Sequence, residues 1–200
     1  MQRHVCQLLL ALLLTSALHA APDKSALPEI FTLTSPQSGS TEELNLLQTG
    51  IAERRLFFIP IYRMAHYMPS LTVRASILDA PGPKAVQLVF LRKIGGERIQ
   101  REFLQIIRKN VTGEEWSEIE DSAKAYSDPF ARGDTRRGDT FSVAWVGKGT
   151  LVSHFNGTLV SSIRDPQFAK VLWSIWVGPD SVVDRNRLLQ KVHFPSLHGP

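Results

Sequence analysis

Gly138 to Gly178 reads GDTFSVAWVGKGTLVSHFNGTLVSSIRDPQFAKVLWSIWVG. Phe141, Val143 and Trp145 alternate with Thr140, Ser142 and Ala144, which predicts a strand with one apolar face. Asn156-Gly157 lies between two further β runs, Leu151 to Phe155 and Thr158 to Ile163. That dipeptide suits a type I′ hairpin, whose two central residues both need positive φ. Asp165 can then cap a helix with Pro166 at its first position. Phe168, Val171, Leu172, Ile175 and Trp176 form the buried stripe of that helix, which closes on Gly178.

Upstream, Leu44 to Gln48 reads as a short strand ahead of Gly50, and Arg55 to Met68 as a longer one. Pro60 is awkward there, because proline cannot donate to a ladder. Ala80-Pro81-Gly82-Pro83 is a turn, and Ala85 to Leu91 is an almost continuous apolar strand. Ile99, Phe103, Ile106 and Ile107 give one helical stripe from Glu97 to Lys109. Thr112 and Glu115 have the spacing of a capping box for the next helix. A final helix is expected from Ser181 to Val192. Strands, helices, a hairpin and more helices make an α+β chain with a mainly antiparallel sheet.

At the N-terminus, Arg3 and His4 precede an apolar run, Val5 to Ala17, that is too short to span a bilayer. Small residues around Ala20 complete the pattern of a secretory signal peptide, removed on export. The expected division is therefore 1–20 signal peptide, 21–43 irregular leader and 44–195 folded domain, with no stable membrane span after cleavage. Cleavage also removes Cys6, the only cysteine, leaving neither a disulfide nor a thiol nucleophile. The whole chain has 23 basic and 19 acidic side chains, a surplus too weak and dispersed for a nucleic-acid surface.

Most motif-like strings have plain explanations. The six histidines show no metal-binding spacing, and no cofactor motif is present. His66 and His154 fall in strands and read as structural. Gly147-Lys148-Gly149-Thr150 leads into a strand, unlike a phosphate loop. Arg137-Gly138-Asp139 is a turn before a strand. The acidic pairs Glu114-Glu115 and Glu120-Asp121 belong to a solvated helix face.

Arg54 is different. It lies in Gly50-Ile-Ala-Glu-Arg54-Arg-Leu-Phe-Phe-Ile-Pro-Ile-Tyr62, beside Phe57, Phe58 and Tyr62. An arginine there can point into an apolar cleft, where an unpaired guanidinium is costly and favours an anionic guest. An exposed Arg54 is the alternative that the pattern leaves open.

The order of these pieces, from Thr49-Gly50 through Arg54, Tyr67-Met68, Pro83 to Arg92, Asn156-Gly157 and Phe168 to Gly178, resembles the bacterial branch of the chalcone isomerase-like family. The resemblance implies an open-faced β-sandwich, a large antiparallel sheet covered by helices with a cleft between them. In plant chalcone isomerases an arginine steadies the substrate phenolate, while a threonine and a tyrosine steady the developing enolate. By this resemblance the arginine falls on Arg54, the strand threonine on Tyr62, the helical tyrosine on Trp116, an asparagine on Ala123 and a later threonine on Ile175. One polar group is retained and most others are apolar. Each lost oxyanion donor removes on the order of 3 kcal/mol of barrier lowering.

The expectation is a non-catalytic periplasmic or secreted protein. It holds a small apolar acid such as a fatty acid, with Arg54 and Tyr62 at the head and Trp116, Ile175 and Trp176 along the tail. The alternatives are an isomerase or intramolecular lyase with Arg54 stabilising an oxyanion, and a cell-envelope assembly partner with a collapsed cleft. No metal, cofactor or nucleic acid is expected.

Overall fold

The computed structural model describes residues 27–35, 42–73, 76–80 and 82–194. Seven strands form one antiparallel sheet in chain order: β1 (Ile30–Ser35), β2 (Glu42–Leu56), β3 (Ile59–Met68), β4 (Lys84–Phe90), β5 (Thr140–Val146), β6 (Thr150–Phe155) and β7 (Thr158–Arg164). Helices α1 (Gly96–Lys109) and α2 (Gly113–Ala131) join β4 to β5; α3 (Pro166–Val177) and the one-turn α4 (Arg185–Leu188) follow β7.

Alternation along the strands divides the side chains between two faces. Met64, Val86, Leu88, Phe141, Val143 and Leu151 pack with Ile107, Ile119, Phe168, Leu172 and Trp173 to form the main core. A smaller cluster, Leu33, Leu46, Ala65, Tyr67, Ala85 and Ala144, occupies the other face. β4 is covered on both faces, as its almost continuous apolar run predicts. No helix among the described residues is long and apolar enough to cross a membrane.

The punctuation of the sequence is reproduced closely. Asn156 and Gly157 take φ 49° and 82° at the β6–β7 turn. Asp165 accepts from the Gln167 and Phe168 N–H groups at 3.0 Å. Thr112 and Glu115 close a reciprocal capping box at the start of α2. Gly147-Lys148-Gly149 is a turn, with Lys148 and Gly149 at positive φ.

Four expectations are corrected. The stretch 21–43, read as irregular, contributes β1, which pairs with β2 over Ile30–Leu47 to Ser35–Glu42. The short strand at Leu44 does not stop before Gly50. Instead, β2 runs through that glycine, where a Cβ would stand 2.2 Å from the Arg187 carbonyl oxygen. The run Arg55 to Met68 is broken by a two-residue turn at Phe57-Phe58, which lacks the glycine or asparagine that usually marks such turns. Pro60 stands opposite Arg55 at the bulge of the β2–β3 ladder and beyond the β3–β4 pairing, which starts at Tyr62–Phe90; a bulge at an unpaired edge is where a strand tolerates proline. Finally, the helix expected over Ser181 to Val192 is only one turn long. Downstream of it, Lys191 N–H donates to Thr49 O and His193 N–H to Leu71 O, so sheet-side carbonyls replace helical ones. The expected signal peptide, 1–20, lies outside the described residues.

A buried polar chain crosses the layers. Trp173 Nε1 donates to His66 Nε2 at 3.1 Å, and His66 Nδ1 lies 3.0 Å from Thr49 Oγ1. Indole nitrogen only donates, so the neutral imidazole carries its proton on Nδ1. The Thr49 hydroxyl is 2.8 Å from Leu188 O, to which it donates. One chain of bonds thus links α3, β3, β2 and α4, in line with the structural role expected for His66.

Candidate binding cleft

At one end of the sheet the helices stand away from the strands and leave a cleft of about 490 Å³. That volume lies within the range of small-molecule sites, about 300–1,000 Å³. Its walls are largely apolar. Leu88, Phe90 and Phe141 come from the sheet, Ile99, Phe103 and Ile106 from α1, and Phe130 from α2.

Arg54 and Tyr62 both line this cleft, and they face each other across the β2–β3 ladder. The shared register follows from antiparallel pairing, so no loop is needed to bring them together. A bulge between Arg54 and Arg55 shifts the ladder immediately afterwards. Arg54 is half-buried, and its guanidinium donates to Val182 O at 2.8 Å. That partner is neutral. Among the described residues no carboxylate lies within ion-pair distance of Arg54, whereas neighbouring Arg55 is held by Glu53 at 2.9 Å. Burial raises the Tyr62 hydroxyl pKa above the ordinary tyrosine value, while a hydrogen bond with Trp176 and the Arg54 charge pull it the other way. At neutral pH the hydroxyl is protonated and can donate.

Ile175 and Trp176 line the same cleft from α3. Trp116 does not. It is buried at the α1–α2 elbow with the Arg108 guanidinium 5.1 Å from its ring centroid. Ala123 is fully buried and also absent from the cleft walls. Besides Phe130, the α2 residue that does enter is Tyr126, which sequence reasoning missed. Its hydroxyl lies 3.4 Å from Ser153 Oγ, its ring packs on Phe103 and Phe168, and burial drives its pKa up. The signal was present: Trp116, Ile119, Ala123, Tyr126 and Phe130 recur at helical spacing along a stretch read as polar. At the mouth stand Arg92, Lys93 and Arg98, with Glu102 paired to Arg98. Among the described residues no group of His, Cys, Asp or Glu is placed to hold a metal ion.

An antiparallel meander with its helices gathered on one face, and an arginine-bearing cleft between the layers, defines an open-faced β-sandwich. Residues 28–189 match the model of the chalcone isomerase-like family, and the chain belongs to that family. Among solved structures, it is similar to a fatty-acid binding protein of Arabidopsis thaliana, with a TM-score of 0.61 and 12% identity over 79% of this chain and 94% of that one. At that identity the likeness shows the fold. No curated protein matches the sequence.

Proposed function

We propose that the protein binds, without transforming it, a small apolar carboxylate of the fatty-acid class. The observation that carries this reading is a half-buried guanidinium that opens on an apolar cleft and is tied only to a neutral carbonyl among the described residues. A carboxylate head supplies the missing charge, and Tyr62 adds a donor. Ile175, Trp176 and the phenylalanine walls take the chain, which is what a neutral, greasy lining favours. The fatty-acid binding neighbour shares the fold and supports the reading by analogy. The apolar N-terminal run, Val5 to Ala17, supports export, so the site of action is the periplasm or the outside of a bacterial cell.

Most of the positions where the resemblance puts polar groups argue against turnover, Tyr62 being the exception. Ile175 has no donor, and Trp116 and Ala123 are outside the cleft. A second reading, an isomerase or intramolecular lyase with Arg54 as oxyanion stabiliser, is favoured by one observation: Tyr62, a hydroxyl-bearing residue at the position where the resemblance puts the strand threonine, lines the cleft opposite Arg54. The open volume of the cleft speaks against a purely structural envelope role.

Organic extraction of natively purified protein, followed by mass spectrometry, tests the reading. A long-chain monocarboxylic acid is expected from the wild type and not from Arg54→Gln. In titrations with that acid, Arg54→Gln should weaken binding by about 10- to 100-fold, the size of a lost charged hydrogen bond. Tyr62→Phe should weaken it by less than about tenfold. Recovery of equal acid from both proteins contradicts the assignment of Arg54. Cyclisation or isomerisation of an enone by wild type, abolished in Arg54→Gln, establishes the second reading instead.

A further inference from the structure

The β2–β3 hairpin turns on two adjacent phenylalanines. Leu56 pairs with Ile59, which leaves Phe57 and Phe58 as the turn, 88% and 93% exposed. Phe57 holds φ at 55°, a left-handed conformation that a bulky residue seldom adopts. Two large aromatics therefore sit at this point against solubility, and Phe57 against backbone preference as well. Leu56 and Ile59 line the cleft, so the tip stands at its rim.

Basic side chains gather at the same end. Tyr62 pairs with Phe90 and Leu91 N–H donates to Ile61 O at 3.0 Å, which carries Arg92 and Lys93 to the tip's end of the sheet. Arg92 is exposed and makes no ion pair among the described residues. Arg55 and Arg63 share the single carboxylate of Glu53. Lys93 pairs with Asp134, and Arg98 with Glu102. The rim is an aromatic point inside a positive surround.

We propose that this tip docks the protein peripherally on an anionic lipid bilayer. Phe57 and Phe58 enter the interfacial layer, and Arg92 and its neighbours meet the headgroups. The size of the patch decides against a protein partner. Two phenylalanines bury about 150–250 Å² each, well short of the roughly 800 Å² per side of a stable protein interface. A convex aromatic point with flanking cations does suit a headgroup layer. That the cleft exchanges its guest with the bilayer rests on the function proposed above; the docking does not.

Co-sedimentation with vesicles of equal parts phosphatidylcholine and phosphatidylglycerol tests this. Wild type should pellet with them, bind pure phosphatidylcholine weakly, and detach as salt rises. The double variant Phe57→Asn, Phe58→Ser should bind about 100-fold more weakly, from the loss of two buried aromatics. Asparagine tolerates left-handed φ, so this variant should keep the wild-type unfolding midpoint, which separates lost docking from lost folding. In Phe58→Trp, brominated lipid should quench emission beyond its effect on wild type. Equal vesicle binding by wild type and the double variant, or none by either, overturns the proposal. So does a wild-type dimer that the double variant converts to monomer, which assigns the tip to a second copy. Failed docking with Arg54-dependent acid binding intact removes this inference alone, and the reverse result removes only the ligand assignment.

Discussion

Trp173→Ala is expected to cost about 3–5 kcal/mol through lost burial and the cavity left behind, and about 1–3 kcal/mol more for the hydrogen-bond acceptor it orphans. Trp173 is fully buried, packed edge-on against Trp145 and Trp176 with ring centroids 5.6 and 5.8 Å away. Its indole N–H is the donor that satisfies His66 Nε2. Removing it empties the contact between α3 and the sheet and strands a buried imidazole nitrogen. Against a typical total of about 5–15 kcal/mol, such a loss brings the fold close to unfolding. Urea denaturation followed by far-ultraviolet circular dichroism measures it. Trp173→Phe keeps most of the ring volume and loses the N–H, so it should cost about 1–3 kcal/mol and separate packing from hydrogen bonding. A loss below about 1 kcal/mol for the alanine variant contradicts this picture of the core.

Acid should destabilise the protein earlier than carboxylate titration alone would. Burial, with a smaller contribution from the Lys84 charge, lowers the His66 pKa from 6.5 to about 3. Between these values the unfolded chain holds a proton on this histidine and the native protein does not. Stability therefore falls as pH falls from about 6.5 towards 3, by up to about 1.4 kcal/mol per pH unit and on the order of 5 kcal/mol in total. Protonation would put a hydrogen on Nε2, where Trp173 already donates, so the charged form also breaks the bond to α3. Urea midpoints measured from pH 6.5 down to 5, where carboxylates are still ionised, should drop steadily in wild type. His66→Gln should show a shallower slope whatever its absolute stability; an unchanged slope contradicts the assignment.

Local punctuation made much of this fold legible. Asn156-Gly157, Asp165-Pro166 and Thr112 with Glu115 each act through backbone geometry or a capping oxygen within a few residues, so sequence order carries them. What escaped depends on contacts distant in the chain. Gly50 looks like a strand break, yet it permits the α4 backbone to lie against β2. Phe57-Phe58 carries no turn residue, so the hairpin is set by pairing on either side of it. Trp173 fell outside a single helical stripe because α3 is buried around most of its circumference, with Ala169, Trp173 and Val177 inside as well.

The site was legible in part for the same reason. Arg54 and Tyr62 come together through strand register, and Ile175 and Trp176 through helical spacing. Trp116 was carried over by resemblance rather than by its own helical phase, and it lies at the elbow of α1 and α2 instead. Tyr126, two turns and more further along the same stripe, reaches the cleft.

Titration of wild type and Arg54→Gln with a fatty acid and with its methyl ester bears most directly on the function proposed here. The two ligands share chain and shape and differ in charge. Wild type should prefer the acid by about 10- to 100-fold, and Arg54→Gln should bind both alike at the weaker, ester-like level. Equal affinity of wild type for acid and ester would show that the cleft reads only the chain, and that the guanidinium of Arg54 has no anionic guest.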